Sequence, residues 1–297
     1  MEKIDLEFNR LTIGHIQPLR PYFEANKCRI CDCTVGGTFI WRDYHKTEYA
    51  IADGLLFIKV ANPIPAFAPP RGRSVTRGAY ERIIEYCAKS GKPARLCAVS
   101  GAVLETILKM YPNAKAWTNR DWSDYLYLSE DMAKLEGRRY SGQRNHINRF
   151  TREHRTWAFD SITPGNISEA RAYIEKFARE FDKDRAVYME GNRKSLEILD
   201  NFELYRQIGG VLSVAGEVIG VTIGEIMDDT LYVHAEKADT GYHGSYPMLM
   251  NQFAKKFATA GITYINREED DGVEGLRTSK TSYHPVEMLD KYIVELN

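Results

Sequence analysis

The 297-residue sequence contains no long apolar run. A membrane-spanning helix needs about 20 consecutive apolar residues, whereas the most apolar stretch, residues 208–227, is interrupted by five glycines and two glutamates. The first ten residues also lack the apolar core of a signal peptide. We therefore expect a cytoplasmic protein without a membrane span.

Cysteine is scarce as well. Five cysteines are an odd number in a chain of this length, which argues against a disulfide framework. Cys28, Cys31 and Cys33 are close together, but no second pair of Cys or His follows at the spacing of a structural zinc site. On a strand, Cys31 and Cys33 would face the same side. We expect core or half-buried thiols, with no metal site.

An excess of charge is also missing, because 40 Lys and Arg residues stand against 41 Asp and Glu residues, for a net charge of −1. This balance argues against a protein that is basic over its whole surface, although a local basic patch is compatible with it. The sequence has no G-x-x-x-x-G-K-[ST], H-E-x-x-H or G-x-S-x-G motif. Its hydrophobic content of 43% is that of a soluble globular protein, and its length predicts two domains of roughly 130–160 residues.

The second half of the sequence shows a regular order of elements. Residues 211–227 and 231–238 are rich in β-branched residues, and turn residues at 215–217 and 228–230 divide them into three strands. A glycine-containing loop, residues 239–245, leads into a helix that Ser245 can cap. One face of that helix carries the apolar residues Tyr246, Leu249, Met250, Phe253 and Phe257. Another strand, residues 262–266, follows the helix.

The first half repeats this order. Strands are predicted at 38–42, 49–52 and 55–60, and a loop at 68–74 precedes a helix and the strand 94–99. The apolar face of that helix contains Tyr80, Ile83, Ile84 and Cys87. We predict an α/β (α+β) fold of two tandem units, residues 1–130 and 131–297, with mixed, mostly antiparallel sheets flanked by helices. An arginine-rich helix, residues 131–157, bridges the units, and helices at 168–181 and 195–208 follow it.

Three segments are candidates for chemistry. The loop Gly241–Ser245 opens a helix, so its backbone amides can bind an anion, but a plain turn would use glycine in the same way. The arginine-rich helix can contact phosphates of tRNA, a nucleotide or a lipid, or be a solvated face. Its arginines are Arg138, Arg139, Arg144, Arg149, Arg152 and Arg155.

The third segment, residues 266–285, has four consecutive acids followed by two cations and a phenol. Arg277 and Lys280 are three residues apart and would share one face of a helical turn. A carboxylate near cations and a phenol can supply a general base, an anion clamp and a general acid. The alternative is a solvated acidic loop before a surface helix.

These segments resemble two known families. Gly241–Tyr246 resembles the pyrophosphate loop of GCN5-related N-acetyltransferases. Gly275–Pro285, which reads G-L-R-T-S-K-T-S-Y-H-P, is similar to the end of the phosphatidylglycerol lysyltransferase C-terminal domain. Gly137 with Arg144, Asn145 and Asn148 looks like the Arg/Asn helix of that domain. The resemblance implies tandem acetyltransferase-like folds related to the Fem aminoacyl ligases, with those helix residues binding substrate.

The resemblance further implies acyl transfer from an activated donor to an amine or a hydroxyl group. Glu268 or Glu269 would then be the base, Tyr283 the acid, and Arg277 and Lys280 the anion clamp. The donor channel would be lined by Glu236, Lys237, Gly241, His243, Gly244, Ser245 and Tyr246. We expect acyl-CoA, which the loop favours, as the donor. Aminoacyl-tRNA, which the lysyltransferase resemblance and the arginine-rich helix favour, is the alternative. A binding protein that keeps this fold without turnover is the third hypothesis.

Overall fold

The computed structural model describes residues 5–181 and 186–296. Its strands, in chain order, are β1 (Asn9–Arg10), β2 (Glu48–Ala52), β3 (Leu55–Val60), β4 (Ala66–Phe67), β5 (Ala94–Val99), β6 (Lys115–Thr118), β7 (Asp124–Leu128), β8 (Trp157–Ser161), β9 (Ile208–Val214), β10 (Glu217–Met227), β11 (Thr230–Ala238), β12 (Tyr264–Asn266), β13 (Glu287–Leu289) and β14 (Tyr292–Leu296). Its helices are α1 (Ile16–Glu24), α2 (Val35–Ile40), α3 (Arg77–Lys89), α4 (Gly101–Met110), α5 (Ser129–Lys134), α6 (Ser141–Glu153), α7 (Ile167–Phe181), α8 (Ala186–Asp200), α9 (Phe202–Tyr205), α10 (Ser245–Phe257) and α11 (Glu274–Thr281). No helix in these described ranges combines the length and the apolar character that crossing a membrane requires.

The first unit is built on one mixed sheet with the strand order β1-β2-β3-β4-β5-β14-β6. Its neighbouring strands pair antiparallel, except for β4 and β5, which are parallel. The predicted face of α3 is confirmed, because Tyr80, Ile83 and Cys87 are buried in a core with Leu96 of β5 and Val294 of β14. One hydrophobic core of this unit therefore lies between α3 and its sheet.

The second unit contains the predicted meander. β9, β10 and β11 pair antiparallel in sequence, and the first hairpin turns at Ala215 and Gly216, which both have positive φ. α10 then connects β11 to β12, and these two strands are parallel. The whole sheet has the order β13-β7-β12-β11-β10-β9-β8. Two mixed, mostly antiparallel sheets with flanking helices confirm the predicted fold class.

The ranges of the two units differ from the expected ones. The first unit comprises Met1–Asp124, Glu269–Gly272 and Met288–Asn297, and the second comprises Tyr125–Glu268 and Val273–Glu287. The end of the chain returns to the first unit because β14 inserts between β5 and β6, pairing Tyr292 with both Val99 and Thr118. A strand that pairs on both sides within one sheet belongs to the unit of that sheet, whatever its position in the sequence.

Three predicted elements are wrong in detail. Residues 38–42 are not a strand: α2 begins after Thr34, whose hydroxyl accepts a hydrogen bond from the Gly37 amide at 2.8 Å. The predicted helix 131–157 is interrupted between α5 and α6, where Leu135 and Gly137 have φ of 51° and 82°. The predicted helix 195–208 is divided at Asn201. Its first part belongs to α8, and its second part contains the short α9.

The cysteines also differ in part from expectation. Cys31 and Cys33 form a 3-10 turn, so they do not share the side of a strand. Cys87 and Cys97 lie in α3 and β5, as predicted, and all five thiols are free. The expectation of core or half-buried thiols is confirmed, since Cys31 and Cys87 are buried and the others are of intermediate exposure.

A buried ion cluster joins the separate chain segments of the first unit. The ammonium group of Lys291 lies 2.7 Å from Asp124 Oδ1, 2.7 Å from Glu269 Oε2 and 2.8 Å from Asp32 Oδ2. Cys31 Sγ is 3.2 Å from the same nitrogen. Burial raises the pKa of Asp124 to about 7, whereas the Lys291 ammonium outweighs burial at Glu269 and lowers the pKa of that carboxyl to about 2. One cation thus compensates acids from three segments that are distant in sequence.

We expect Lys291→Met to destabilise the protein by about 3–5 kcal/mol, because removing one partner leaves buried charges without compensation. The free energy of unfolding measured with denaturant tests this. Lys89→Met is the matched control, since Lys89 pairs with Asp5 at the surface and such pairs contribute about 0–1 kcal/mol. Equal losses in the two variants would contradict a special role for the buried cluster.

Candidate functional site

The second unit contains a cavity of about 360 Å³. Its lining comes from α6, β11, the first turn of α10, the end of β12, and α11 with the turn that follows it. The lining residues are Gly142, Gln143, His146, Glu236, Tyr246, Pro247, Arg267, Ser279, Ser282 and Tyr283. Gln143 fixes one wall, because its amide nitrogen donates to the carbonyl and the hydroxyl of Ser282 at 2.8 and 3.0 Å. The size is near the lower end of the roughly 300–1,000 Å³ of ligand pockets, which suits a small ligand.

A buried ion pair forms one wall of this cavity. Arg267 Nη2 donates to Glu236 Oε2 at 2.9 Å, and the two side chains are 8% and 11% exposed. The parallel pairing of β11 with β12 brings them together, since Arg267 directly follows β12. Within the described residues, Glu236 Oε1 and the Nε and Nη1 atoms of Arg267 are buried without a hydrogen-bond partner. The pair therefore leaves one acceptor atom and two donor atoms unsatisfied.

Tyr283 lies beside this pair. The guanidinium of Arg267 is 5.0 Å from the centre of its ring, and the ring packs edge-on against Tyr127 at 6.5 Å. Burial raises the pKa of Tyr283 above the usual range of a phenol. The side chain therefore keeps its proton, and it lines the cavity where the proposed acid would stand.

The ammonium of Lys280, a predicted member of the anion clamp, binds the protein backbone. Its ammonium donates to the backbone carbonyls of Arg267 at 2.6 Å and Glu268 at 3.3 Å, and its own carbonyl accepts from Tyr127 at 2.8 Å. Lys280 thus holds the backbone that carries Arg267. Arg277 is half-buried on α11. In the described part of the chain, neither cation belongs to the cavity lining.

Most of the acidic run, residues 268–271, is shielded from solvent. Glu268 Oε1 is 2.7 Å from His234 Nδ1, and the other ring nitrogen is 2.9 Å from Glu225 Oε1. Burial opposes the charge on His234, but the hydrogen bonds to both glutamates outweigh it and raise the pKa of this residue to about 10. Asp270 is fully buried and accepts from the amide of Gly272 at 2.9 Å.

Glu269, the second of the two predicted bases, is engaged in an ion pair. It belongs to the first unit, where it pairs with Lys291 and its pKa is about 2, so it is a poor proton acceptor. Potential metal-binding atoms of Glu269, Cys31 and Asp124 lie within 4.8 Å of one another. The ammonium of Lys291 already lies among these three side chains and supplies the positive charge.

The glycine loop is shaped by packing against α6. Gly244 has a φ of 87°, and a Cβ atom there would lie 2.4 Å from the carbonyl oxygen of His146. Gly244, rather than Ser245, is the N-cap of α10, and the Ser245 hydroxyl donates to the Asp239 carbonyl at 2.7 Å. The Gly241 amide donates to the Asp239 carboxylate at 2.8 Å. The close approach that glycine permits here is therefore made by the α6 backbone.

The other predicted channel residues divide between two sides of β11. Adjacent residues of a strand face opposite sides, so Lys237 points away from Glu236 and lies 5.1 Å above the ring of Phe177. Tyr246 lines the cavity. His243 Nε2 is 3.1 Å from His146 Nδ1, which connects the loop to α6.

The arginine-rich segment is partly structural. Arg144 donates to the carbonyls of Leu135 and Gly137, the latter at 2.6 Å, so it stabilises the break between α5 and α6. Arg149 pairs with Glu153 one turn along α6. Exposed side chains on this segment include Arg138, Asn145, Asn148, Arg152 and Arg155.

Sequence reasoning missed several members of the cavity wall, among them Gln143, His146 and Arg267. The spacing of Gln143, His146 and Phe150 places them on one helix face, which is a signal that periodicity could have found. Arg267 carried no such signal, because its importance arises from the pairing of β11 with β12. The arrangement as a whole can bind a small ligand that carries both positive charge and a polar carbonyl.

Comparison with known proteins shows the family of the chain. It matches the family described as phosphatidylglycerol lysyltransferase, C-terminal, over residues 27–295. A protein of unknown function from Bacteroides thetaiotaomicron is 30% identical and superposes with a TM-score of 0.90, covering 98% of this chain and 100% of that one. The C-terminal domain of a lysylphosphatidylglycerol synthetase from Agrobacterium fabrum is 12% identical, with a TM-score of 0.68 and coverage of 96% and 92%.

A further solved structure, L-PGS from Bacillus licheniformis, is 13% identical with a TM-score of 0.62, covering 94% of this chain and 91% of that one. These likenesses confirm the tandem acetyltransferase-like fold. An uncharacterised protein of Mycoplasmoides gallisepticum is 22% identical over 178 residues, or 59% of this chain. The match covers 56% of that relative, so the aligned part spans about half of its length.

Replacing Gly244 with Ala should destabilise the protein by about 1–3 kcal/mol, because the new Cβ strains a positive φ and meets the His146 carbonyl. Gly275→Ala on α11 is the control, since a Cβ added there would have no atom within 4 Å and its φ is ordinary. Chemical denaturation measures both. A Gly244→Ala protein as stable as the control would show that the loop is not held by this contact.

The pKa of His234 gives a pH prediction. It is raised from 6.5 to about 10 in the folded state, so its stabilising contribution is complete below pH 6.5 and is lost as pH rises towards 10. His234→Gln should remove that part of the pH dependence of unfolding free energy between pH 6.5 and 9.5. His154→Gln, outside this cluster, serves as the comparison. Parallel stability curves for wild type and His234→Gln would refute the assignment.

Proposed function

We propose that the chain, which belongs to the family of the phosphatidylglycerol lysyltransferase C-terminal domain, is an aminoacyl transferase. In this reaction an amine or hydroxyl group of the acceptor attacks the ester carbonyl of the donor. The new bond to the acceptor forms as the bond between the carbonyl carbon and the ester oxygen breaks, and one proton passes from acceptor to leaving oxygen. Family membership supports group transfer, and the cavity supports the aminoacyl group.

The observation that carries this proposal is the unsatisfied ion pair in the cavity wall. An aminoacyl group has an ammonium group one carbon away from its carbonyl. Glu236 Oε1 can accept a hydrogen bond from the ammonium, while the free donors of Arg267 can bind the carbonyl oxygen. A buried polar atom without a partner carries a cost of about 1–3 kcal/mol that such a ligand would relieve. A simple acetyl group offers no cation for the glutamate.

The same pair suits the transition state. Negative charge develops on the carbonyl oxygen when the acceptor attacks, and a guanidinium held in place by protein contacts stabilises such an oxyanion without reorganisation. Arg267 is held in this way by Glu236, by the ring of Tyr283 and by the Lys280 ammonium on its own carbonyl. We assign Glu236 to donor recognition and Arg267 to recognition and oxyanion stabilisation.

The donor in this proposal is aminoacyl-tRNA. The exposed arginines Arg138, Arg152 and Arg155 lie on the segment that contains α6, and α6 also contributes Gln143 and His146 to the cavity wall. Positive charge there can contact the phosphates of the nucleic acid that carries the ester. Binding through such contacts weakens steeply with salt.

Acyl-CoA is the second candidate donor. The order of β11, a glycine loop and α10 favours it, because helix N-termini bind phosphates in many proteins. The position of Gly244 against the His146 carbonyl favours aminoacyl-tRNA instead, since that approach takes the space a pyrophosphate would need next to this glycine. A metal ion has no part in either route as we propose them.

Calorimetry with amino acid amides, which keep the ammonium and the carbonyl of the donor, tests the site. We expect binding to wild type and at least tenfold weaker binding to Glu236→Gln, since the amide cannot compensate the ammonium charge. Glu217→Gln, a surface glutamate of the same unit that pairs with Lys176, should bind like wild type. Melting temperatures identify any variant that has lost its fold.

Two further measurements separate the donors. Salt-sensitive binding of tRNA, weakened in a triple variant of Arg138, Arg152 and Arg155 to Gln, supports the aminoacyl route. Binding of CoA at millimolar concentration, with no binding of any amino acid amide, would contradict the proposal and favour the acetyltransferase-like alternative.

A further inference from the structure

Two histidines from different parts of the second unit meet at the cavity. His146 is on α6, lines the cavity and is exposed, whereas His243 lies in the loop before α10. His146 Nδ1 and His243 Nε2 are 3.1 Å apart, within hydrogen-bond distance. The two rings are tilted by 47° with centroids 5.1 Å apart, so they do not stack face to face. The contact is therefore made through the ring nitrogens.

This contact restricts the protonation of the two rings. A hydrogen bond between two neutral imidazoles needs a proton on one nitrogen and a lone pair on the other. If His146 Nδ1 donates to His243 Nε2, the remaining nitrogen of His146 has a lone pair and can accept a proton. A partner on one ring nitrogen sets the role of the other in many catalytic histidines. His243 would thus orient His146 and fix its tautomer.

Other titratable groups on the cavity are less suited to proton transfer at neutral pH. Glu236 and Arg267 are bound to each other, and the raised pKa of Tyr283 keeps it protonated. Tyr246, in the first turn of α10, is a phenol, which is ordinarily protonated at neutral pH. Imidazole is the side chain whose ordinary pKa lies near neutrality, where general bases are most effective.

We infer that His146 is the general base of the transfer reaction and that His243 is its positioning residue. The inference rests on the proposed function. The imidazole of His146 takes a proton from the acceptor: either from an ammonium group, which frees the amine lone pair that then attacks the ester carbonyl carbon, or from a hydroxyl group as its oxygen attacks that carbon. When the tetrahedral intermediate collapses, the carbon–oxygen bond to the donor breaks and the imidazolium returns that proton to the leaving oxygen. An acceptor that arrives as an ammonium loses its second proton to solvent, so atoms and charges balance without an oxidant.

The fold explains why this pair is held at the cavity. Gly244 directly follows His243, and its missing side chain lets the loop approach the His146 carbonyl. The close backbone contact and the contact between the rings therefore involve the same two segments. A glycine at this position of the loop suggests phosphate binding. Here its missing side chain instead allows the loop that carries His243 to approach His146.

The test uses two acceptors that differ in their need for a base. Wild type, His146→Gln, His243→Gln and His154→Gln are assayed with a mixture of radiolabelled aminoacyl-tRNAs, first with ethylamine and then with hydroxylamine. Ethylamine is almost fully protonated at neutral pH, whereas hydroxylamine is not. Transfer without protein is subtracted in each case. His154 adjoins α6 and contacts Phe150 and Tyr242, so its variant controls for the loss of a nearby histidine.

We expect His146→Gln to lower kcat with ethylamine by about 10²–10⁴-fold, the range typical of general bases, and to lower it much less with hydroxylamine. Binding of amino acid amides should remain within twofold of wild type. His243→Gln should lower kcat less and shift the acidic limb of the pH profile, while added imidazole should partly rescue a His146→Ala variant.

Three results would overturn the inference in distinguishable ways. If wild type transfers aminoacyl groups and His146→Gln does so equally well with ethylamine, His146 is not the base, although the proposed function stands. If wild type neither binds amino acid amides nor turns over any aminoacyl-tRNA, the proposed function fails and the base fails with it. Equal losses of rate with both acceptors would assign His146 to binding or structure instead.

Discussion

The ion pair between Glu236 and Arg267 is the contact on which the candidate site depends. Two charges removed from water are tolerated only when each compensates the other, so the pair holds β11 and the end of β12 in a fixed relation. The pair leaves one oxygen and two nitrogens without partners. The same contact therefore contributes to the structure and offers a ligand both an acceptor and donors.

Three consecutive residues at the end of β12 take part in three different ionic contacts. Arg267 binds Glu236, Glu268 binds His234, and Glu269 belongs to the cluster of the first unit. Residues of an extended chain alternate in direction, and the positive φ of Glu268 turns the chain further. This segment looks like one candidate site in the sequence, but its residues bind different partners in the structure. Of the three residues, only Arg267 lines the cavity.

The glycine loop shows how one sequence signal can have two physical causes. Glycine before a helix permits a positive φ and a close approach, and both are present at Gly244. A ligand and a neighbouring helix make equal use of that freedom, because each requires only the absence of a Cβ atom. What approaches Gly244 is the backbone of α6, which also carries His146. The loop therefore positions a histidine pair at the cavity.

The sequence by itself determined the meander of β9, β10 and β11, the helix α10, the mixed α/β class and the resemblance to the lysyltransferase domain, since periodicity, turn residues and local motifs are properties of neighbouring residues. Only the tertiary structure decided that β14 completes the first sheet, that Lys280 holds a backbone segment, and that Glu236 meets Arg267. These contacts join residues distant in sequence, and local patterns carry no information on which buried charge compensates which. The fold class was therefore predictable, whereas the partners of each charged residue were not.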